Sequence, residues 1–173
     1  MAFGAENISW GCYTAGWFHN QVLDEDDEKT EQYDKLKTVN REIHTIAEVY
    51  FDYRRTATHF VGFAGSEWLE GVKQETKETL NTGVFLDVHA KENTPLVIDQ
   101  MVSKNSDGSY GLMVAAADDH YDNDEKDVTV VFKANGRRIS AVGGNGYIPV
   151  SKNEDGYYEI KIRSNAGVFI TAR

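Results

Sequence analysis

YYEIKIRSNAGVFITA, residues 157–172, holds two short segments rich in Tyr, Ile, Val and Phe on either side of the turn chemistry of SNAG. In the first, Tyr158, Ile160 and Ile162 fall on one face at the two-residue period of a β-strand. The same style runs back to Pro95. LVIDQMV, YGLMVAAA, DVTVVFK, RRISAV and GYIPV are separated by NSDG, ANG, GGNG and NEDG, turn sequences built on Gly, Asn and Asp. In DVTVVFK, Val128, Val130 and Phe132 share a face. Strands this short at such regular turn spacing predict an antiparallel β-sandwich of two sheets.

Upstream of KENTP (91–95) the style changes, which divides the chain into an N-terminal segment 1–92 and a C-terminal sandwich 93–173. The clearest helix lies in the first part. From Thr30, the N-cap, the apolar positions Tyr33, Leu36, Val39, Ile43, Ile46 and Tyr50 recur at spacings of three and four and mark one buried face. The run Asp24-Glu25-Asp26-Asp27-Glu28 ahead of it lies near the positive end of the helix dipole, a stabilising placement that needs no bound metal. Residues 5–13 read as a strand, 14–29 as a loop, 66–80 as a second helix interrupted by Gly71, and Val84–Val88 as a strand. The fold class is therefore α+β, mainly β: an N-terminal strand and long amphipathic helices attached to a C-terminal antiparallel β-sandwich.

A chain of 173 residues suffices for one ordinary domain or a domain with an appendage. The net charge of −10 repels polyanions, and the densest basic runs are the pairs Arg54-Arg55 and Arg137-Arg138, so nucleic acid is not expected as a partner. No run of eighteen apolar residues and no basic-then-apolar leader occurs, which predicts a cytoplasmic protein without a membrane partner. The single cysteine, Cys12, cannot form an internal disulfide or a cysteine zinc site, and its apolar surroundings are those of an inert buried thiol.

Five histidines, at 19, 44, 59, 89 and 120, lack metal-binding spacing, and Gly143-Gly144-Asn145-Gly146 is a turn because no helix follows it to cradle a phosphate. In ADDHYDNDEKD, the carboxylates of Asp118, Asp122 and Asp124 are the candidates for a calcium loop. The glycine and distal glutamate of an EF-hand are missing there, so a solvated loop is favoured and no cofactor is expected. Aromatic side chains can stack on sugar rings. Trp10, Tyr13, Trp17 and Trp68 are the candidates for carbohydrate binding, with Tyr110, Tyr147 and Tyr157 as further platforms. Glycoside hydrolysis needs two carboxyl groups flanking the bond, and none here stands out at the end of a buried strand, so no catalytic residue is assigned.

GAENISW (4–10) followed by LDEDDEKTEQYDKLKTVNREIHTI (23–46) resembles the last strand and last helix of the (β/α)8 barrel in β-galactosidase-like glycoside hydrolases of clan A. The residues that carry the likeness are Gly4, Ala5, Ile8 and Trp10, then Asp26, Lys29, Thr30, Glu31 and Tyr33, then Val39, Asn40, Glu42, Ile43 and His44. PLVIDQMVSKNSDGSYGLMVAAADD (95–119) and DGYYEIKIRSNAGVFITAR (155–173) are similar to the opening strands and the closing hairpin of the small sandwich that follows such a barrel. Residues 51–92 are matched only loosely. Where the family's last strand often supplies an aromatic to a sugar subsite, this chain has Thr14, with Trp17 as the nearby replacement.

The resemblance implies the C-terminal portion of a glycosidase. Its acid/base and nucleophile glutamates would stand on earlier barrel strands. Two expectations follow: a non-catalytic accessory domain with a structural or carbohydrate-binding role, or part of an active glycosidase completed by a barrel-bearing partner chain. Because the barrel neighbours are missing, strand 5–13 and the helix should either fold back onto the sandwich or be covered by a second copy in a homodimer.

Overall fold

The computed structural model describes residues 2–5, 7–8, 22–63, 76–117, 126–164 and 166–173. Within these, one helix, α1 (Glu31–Tyr50), precedes ten strands. They are β1 (Tyr53–Val61), β2 (Thr76–Lys77), β3 (Phe85–Ala90), β4 (Leu96–Ser103), β5 (Tyr110–Ala116), β6 (Asp127–Ala134), β7 (Ile139–Gly143), β8 (Gly146–Ile148), β9 (Tyr158–Arg163) and β10 (Gly167–Ala172). The protein is mainly β, and every strand segment expected after Pro95 is present.

Two sheets result. The larger has the order β2-β1-β4-β5-β10-β7-β8, antiparallel except for the parallel pair β1–β2, and the smaller has the order β3-β6-β9. Hydrogen bonding runs across the 92/93 position in both, through β1 with β4 and β3 with β6. Turn chemistry set the short connections. Gly143 pairs with Gly146, leaving Gly144-Asn145 as a two-residue hairpin loop, and Asp107 in NSDG accepts the Ser109 N–H at 2.9 Å.

Alternation along the strands sorts the apolar residues into two layers. Ile98, Leu112, Val114, Val168 and Ile170 of the large sheet join Val128, Val130, Phe132, Ile160 and Ile162 of the small one in a single buried cluster. The opposite face of the large sheet carries Tyr53, Met101, Met113 and Phe169. That face is covered by α1, whose Ile46, Val49 and Tyr50 pack onto it, so β10 is buried on both sides. Phe169 is wedged edge-on between Tyr50 and Tyr53, with ring centroids 5.7 and 5.1 Å away.

Helix α1 begins as its sequence demands. Thr30 is extended, its hydroxyl accepts the Gln32 N–H at 3.2 Å, and Glu31 and Asp34 occupy the first turn. The acidic run does more than face a dipole. Leu23 bridges Lys29 across it, and the Asp24 carboxylate accepts the N–H groups of Asp26 and Glu28 at 3.0 and 2.8 Å, closing a tight turn with Asp27 in the left-handed region.

Three expectations need correction. Ala5, Asn7 and Ile8 are not in a strand; instead Ala2–Gly4 form a 3-10 turn with Phe3 and Gly4 at φ 65° and 72°. That turn folds back onto the large sheet, where the Phe3 ring lies 6.1 Å from Phe60. The second helix does not extend to residue 80. Thr76–Lys77 form β2 beside β1, and Leu80 bridges Val88. The described residues therefore hold one long helix and not several. The remainders of strand 5–13 and helix 66–80, including Cys12, lie outside the described residues.

Candidate functional site

The α1 stripe has more length than its seat. Ile46 and Tyr50 are buried, while Val39, two turns earlier on the same stripe, is 41% exposed. Where the helix lifts from the sheet it leaves a cleft of about 600 Å³, in the size range of small-molecule sites. One wall is Val39, Glu42, Ile43 and Ile46 of α1, and the other is the β7–β8 hairpin. The floor is hollow because its residues are small: Ala115, Ala166 and Gly167.

Glu42 lies against the hairpin turn itself. A Cβ on Gly144 would come within 2.6 Å of the Glu42 Cγ, so only glycine admits this helix–turn contact. The Glu42 carboxylate reaches across the cleft to Arg163 at the end of β9, 3.0 Å away. Lys161 also lines it. On the rim Tyr147, paired with Val142 across the hairpin, is 76% exposed, by far the most exposed large apolar side chain described. The cleft thus combines small apolar residues, a projecting aromatic ring and an ion pair. Among the described residues Glu42 is the one carboxylate of the lining, and hydrolysis of a glycosidic bond employs two.

The sugar-platform candidates Trp10, Tyr13, Trp17 and Trp68 lie outside the described residues, as do Thr14 and the calcium-loop candidates Asp118, Asp122 and Asp124. Among the described residues no group of three metal-ligating side chains converges. Of the further platforms, Tyr147 projects. Tyr110 is half-buried beneath the Arg137 guanidinium, 5.1 Å from its ring centre, and Tyr157 carries Lys133 over its ring at 4.1 Å.

Sequence reading missed the Glu42–Arg163 pair, which joins residues 121 positions apart. Its one signal was glycine in excess: Gly146 at φ 106° suits the hairpin, but Gly144 has no such need and marks a close approach. No helix of the described residues is long and apolar enough to cross a membrane. Comparison with protein-family models, with curated proteins and with solved structures gives no match for this chain.

Proposed function

We propose that this chain is a cytoplasmic, non-catalytic C-terminal unit of a glycoside hydrolase. In this reading segment 1–92 is the remnant of a (β/α)8 barrel, and 93–173 is an antiparallel β-sandwich with a structural role and weak carbohydrate binding. The observation that carries it is the half-seated helix. The stripe of α1 runs the length of the helix, yet Ile46 and Tyr50 are buried while Val39 is left exposed. A helix shared between a barrel and a sandwich would look like this, with Val39 meant for the barrel. The cleft with Tyr147 on its rim supplies a surface on which a sugar ring can stack.

The test is turnover of nitrophenyl glycosides by the purified chain. None is expected, and turnover abolished by replacing a single carboxylate would overturn the accessory reading. Carbohydrate binding at the cleft should weaken on Tyr147→Ala.

The exposed Val39 within that stripe favours a second reading, an active β-galactosidase-like glycosidase completed by a barrel-bearing partner chain. Turnover that appears only in the mixture, and disappears with Val39→Asp, would select it. A homodimer covering the stripe would instead show as a doubled mass in sedimentation that Val39→Asp returns to that of one chain.

A further inference from the structure

A second constellation sits on the small sheet and shares no residue with the α1 cleft. The pairing of β3 with β6 slips between Leu86 and His89, and at the slip Asp87 stands at φ 54°. A non-glycine residue held there is strained, and such strain gathers at ligand clamps. Three hydrogen bonds hold Asp87 in place. Its N–H donates to Asn81 Oδ1 at 2.9 Å, its Oδ2 accepts the Tyr157 hydroxyl at 2.6 Å, and its carbonyl lies 2.8 Å from His89 Nδ1.

A carbonyl oxygen only accepts, so His89 donates to it through Nδ1, which leaves Nε2 as the ring nitrogen open to a further partner. Among the described residues Nε2 has no hydrogen-bond partner. An imidazole oriented through Nδ1–H to a main-chain carbonyl is the usual way for a protein to present Nε2 to a ligand. His89 lines a cleft of about 370 Å³, together with Gly62, Glu78, Thr79, Asn93 and Thr94. Two of the residues lining this hollow, Asn93 (φ 57°) and Gly62 (φ 75°), are in the left-handed region.

We propose that this cleft binds a neutral, hydroxyl-rich molecule of monosaccharide size, with one hydroxyl hydrogen-bonded to His89 Nε2. Thr79, Asn93 and Thr94 offer donors and acceptors for further hydroxyls, and Glu78 offers an acceptor. The chemistry of the lining selects against the alternatives. It contains no Lys or Arg among the described residues, and with Glu78 present in a chain of net charge −10 it disfavours anions. His89 and Glu78 are too few to hold a metal ion.

The experiment is a titration of the ¹⁵N-labelled chain with D-galactose, D-glucose and myo-inositol, following the imidazole nitrogens, with inorganic phosphate as the anion control. A saturable shift of His89 Nε2 is expected for at least one polyol, with His59, whose Nε2 is already 3.2 Å from Gln100, unmoved. His89→Ala should abolish the response of neighbouring Thr79 and Thr94 amides, and His89→Gln, which keeps an acceptor, should retain part of it. A silent His89 with all three polyols, or saturation by phosphate instead, would overturn the proposal. The site does not depend on the accessory-domain reading. Glycoside turnover by the chain would leave it standing, and a silent His89 would leave the accessory reading untouched.

Discussion

The carboxylate of Asp99, fully buried in β4, accepts the backbone N–H of Gly4 at 3.1 Å and so fastens the start of the chain to the large sheet. Its other oxygen accepts the Thr58 hydroxyl at 2.5 Å, and Thr58 in turn accepts from Arg55 at 2.8 Å. A buried carboxylate is tolerated only when its oxygens are satisfied in this way.

Replacing Asp99 by Ala leaves the Gly4 N–H and the Thr58 hydroxyl without their acceptor. The expected loss is about 1–3 kcal/mol, the cost of stranding buried polar groups. Urea denaturation measures it, and amide exchange at Gly4 should accelerate well beyond the change at β5. An unchanged midpoint would show that Asp99 anchors nothing.

The half-seated helix makes a paired prediction. Ile46→Ala removes a side chain from the Tyr50–Met113–Phe169 cluster and should cost about 2–5 kcal/mol. Val39→Ala, on the exposed part of the same stripe, should change stability by no more than about 0.5 kcal/mol. Equal losses at the two positions, read from thermal melts of the isolated chain, would mean that the whole stripe is covered.

Two glycines beneath α1 should respond differently to the same methyl group. At Gly111 a Cβ would lie 2.7 Å from Phe169 Cζ and 3.2 Å from Tyr53, and neither wedged ring can retreat, so Gly111→Ala should cost about 1–3 kcal/mol. At Gly167 the nearest atom, also at 2.7 Å, is the terminal methyl of Met113, a flexible side chain that can swing aside. Gly167→Ala should therefore be the milder change. The order of their denaturation midpoints checks it.

Acid stability should depend on Glu92. Burial is the largest single influence and opposes its charged form, but the Thr129 N–H, donating at 2.7 Å, the Thr129 side chain, a bond within Glu92's own backbone and the charge of Lys91 together outweigh it and hold the carboxyl below its ordinary value of 4.5. A lowered folded-state value contributes stability that is complete above the unfolded value and is lost as pH falls through the folded one. Glu92→Gln should thus destabilise most at neutral pH, and its midpoint should converge on that of the parent as the pH drops from about 6 to about 3. A constant gap across that range would refute the assignment.

The strands after Pro95 were legible because their signals are local: a two-residue period between turns that need Gly, Asn or Asp. Helix α1 was legible for the same reason, by its spacing and its Thr30 cap. What failed was decided by contacts far away in sequence. Thr76 and Lys77 lie in a polar, helix-favouring stretch, yet pairing with Phe60 and Val61 makes them a strand. Ile8 looked like core and is 40% exposed, because the residues that touch the sheet are Phe3 and Gly4. Of the α1 cleft, the sequence offered Tyr147 as an aromatic and Gly144 as a surplus glycine. It gave no sign of the Glu42–Arg163 pair, nor of the slip in β3 that puts Asp87 beside His89.

Strand β10 is central to the large sheet, bonded to β5 on one side and β7 on the other. During synthesis β2, β1, β4 and β5 emerge as one block and β7 and β8 as another, with no hydrogen bonds between the blocks until residues 167–172 arrive. The large sheet therefore cannot assemble progressively from the ribosome. It waits for residues 167–172, and Arg173 then clasps Arg138 through paired main-chain bonds of 2.9 and 3.0 Å. A nascent chain stalled before residue 167 would hold two open β edges, at β5 and β7, the form most prone to pair with its neighbours.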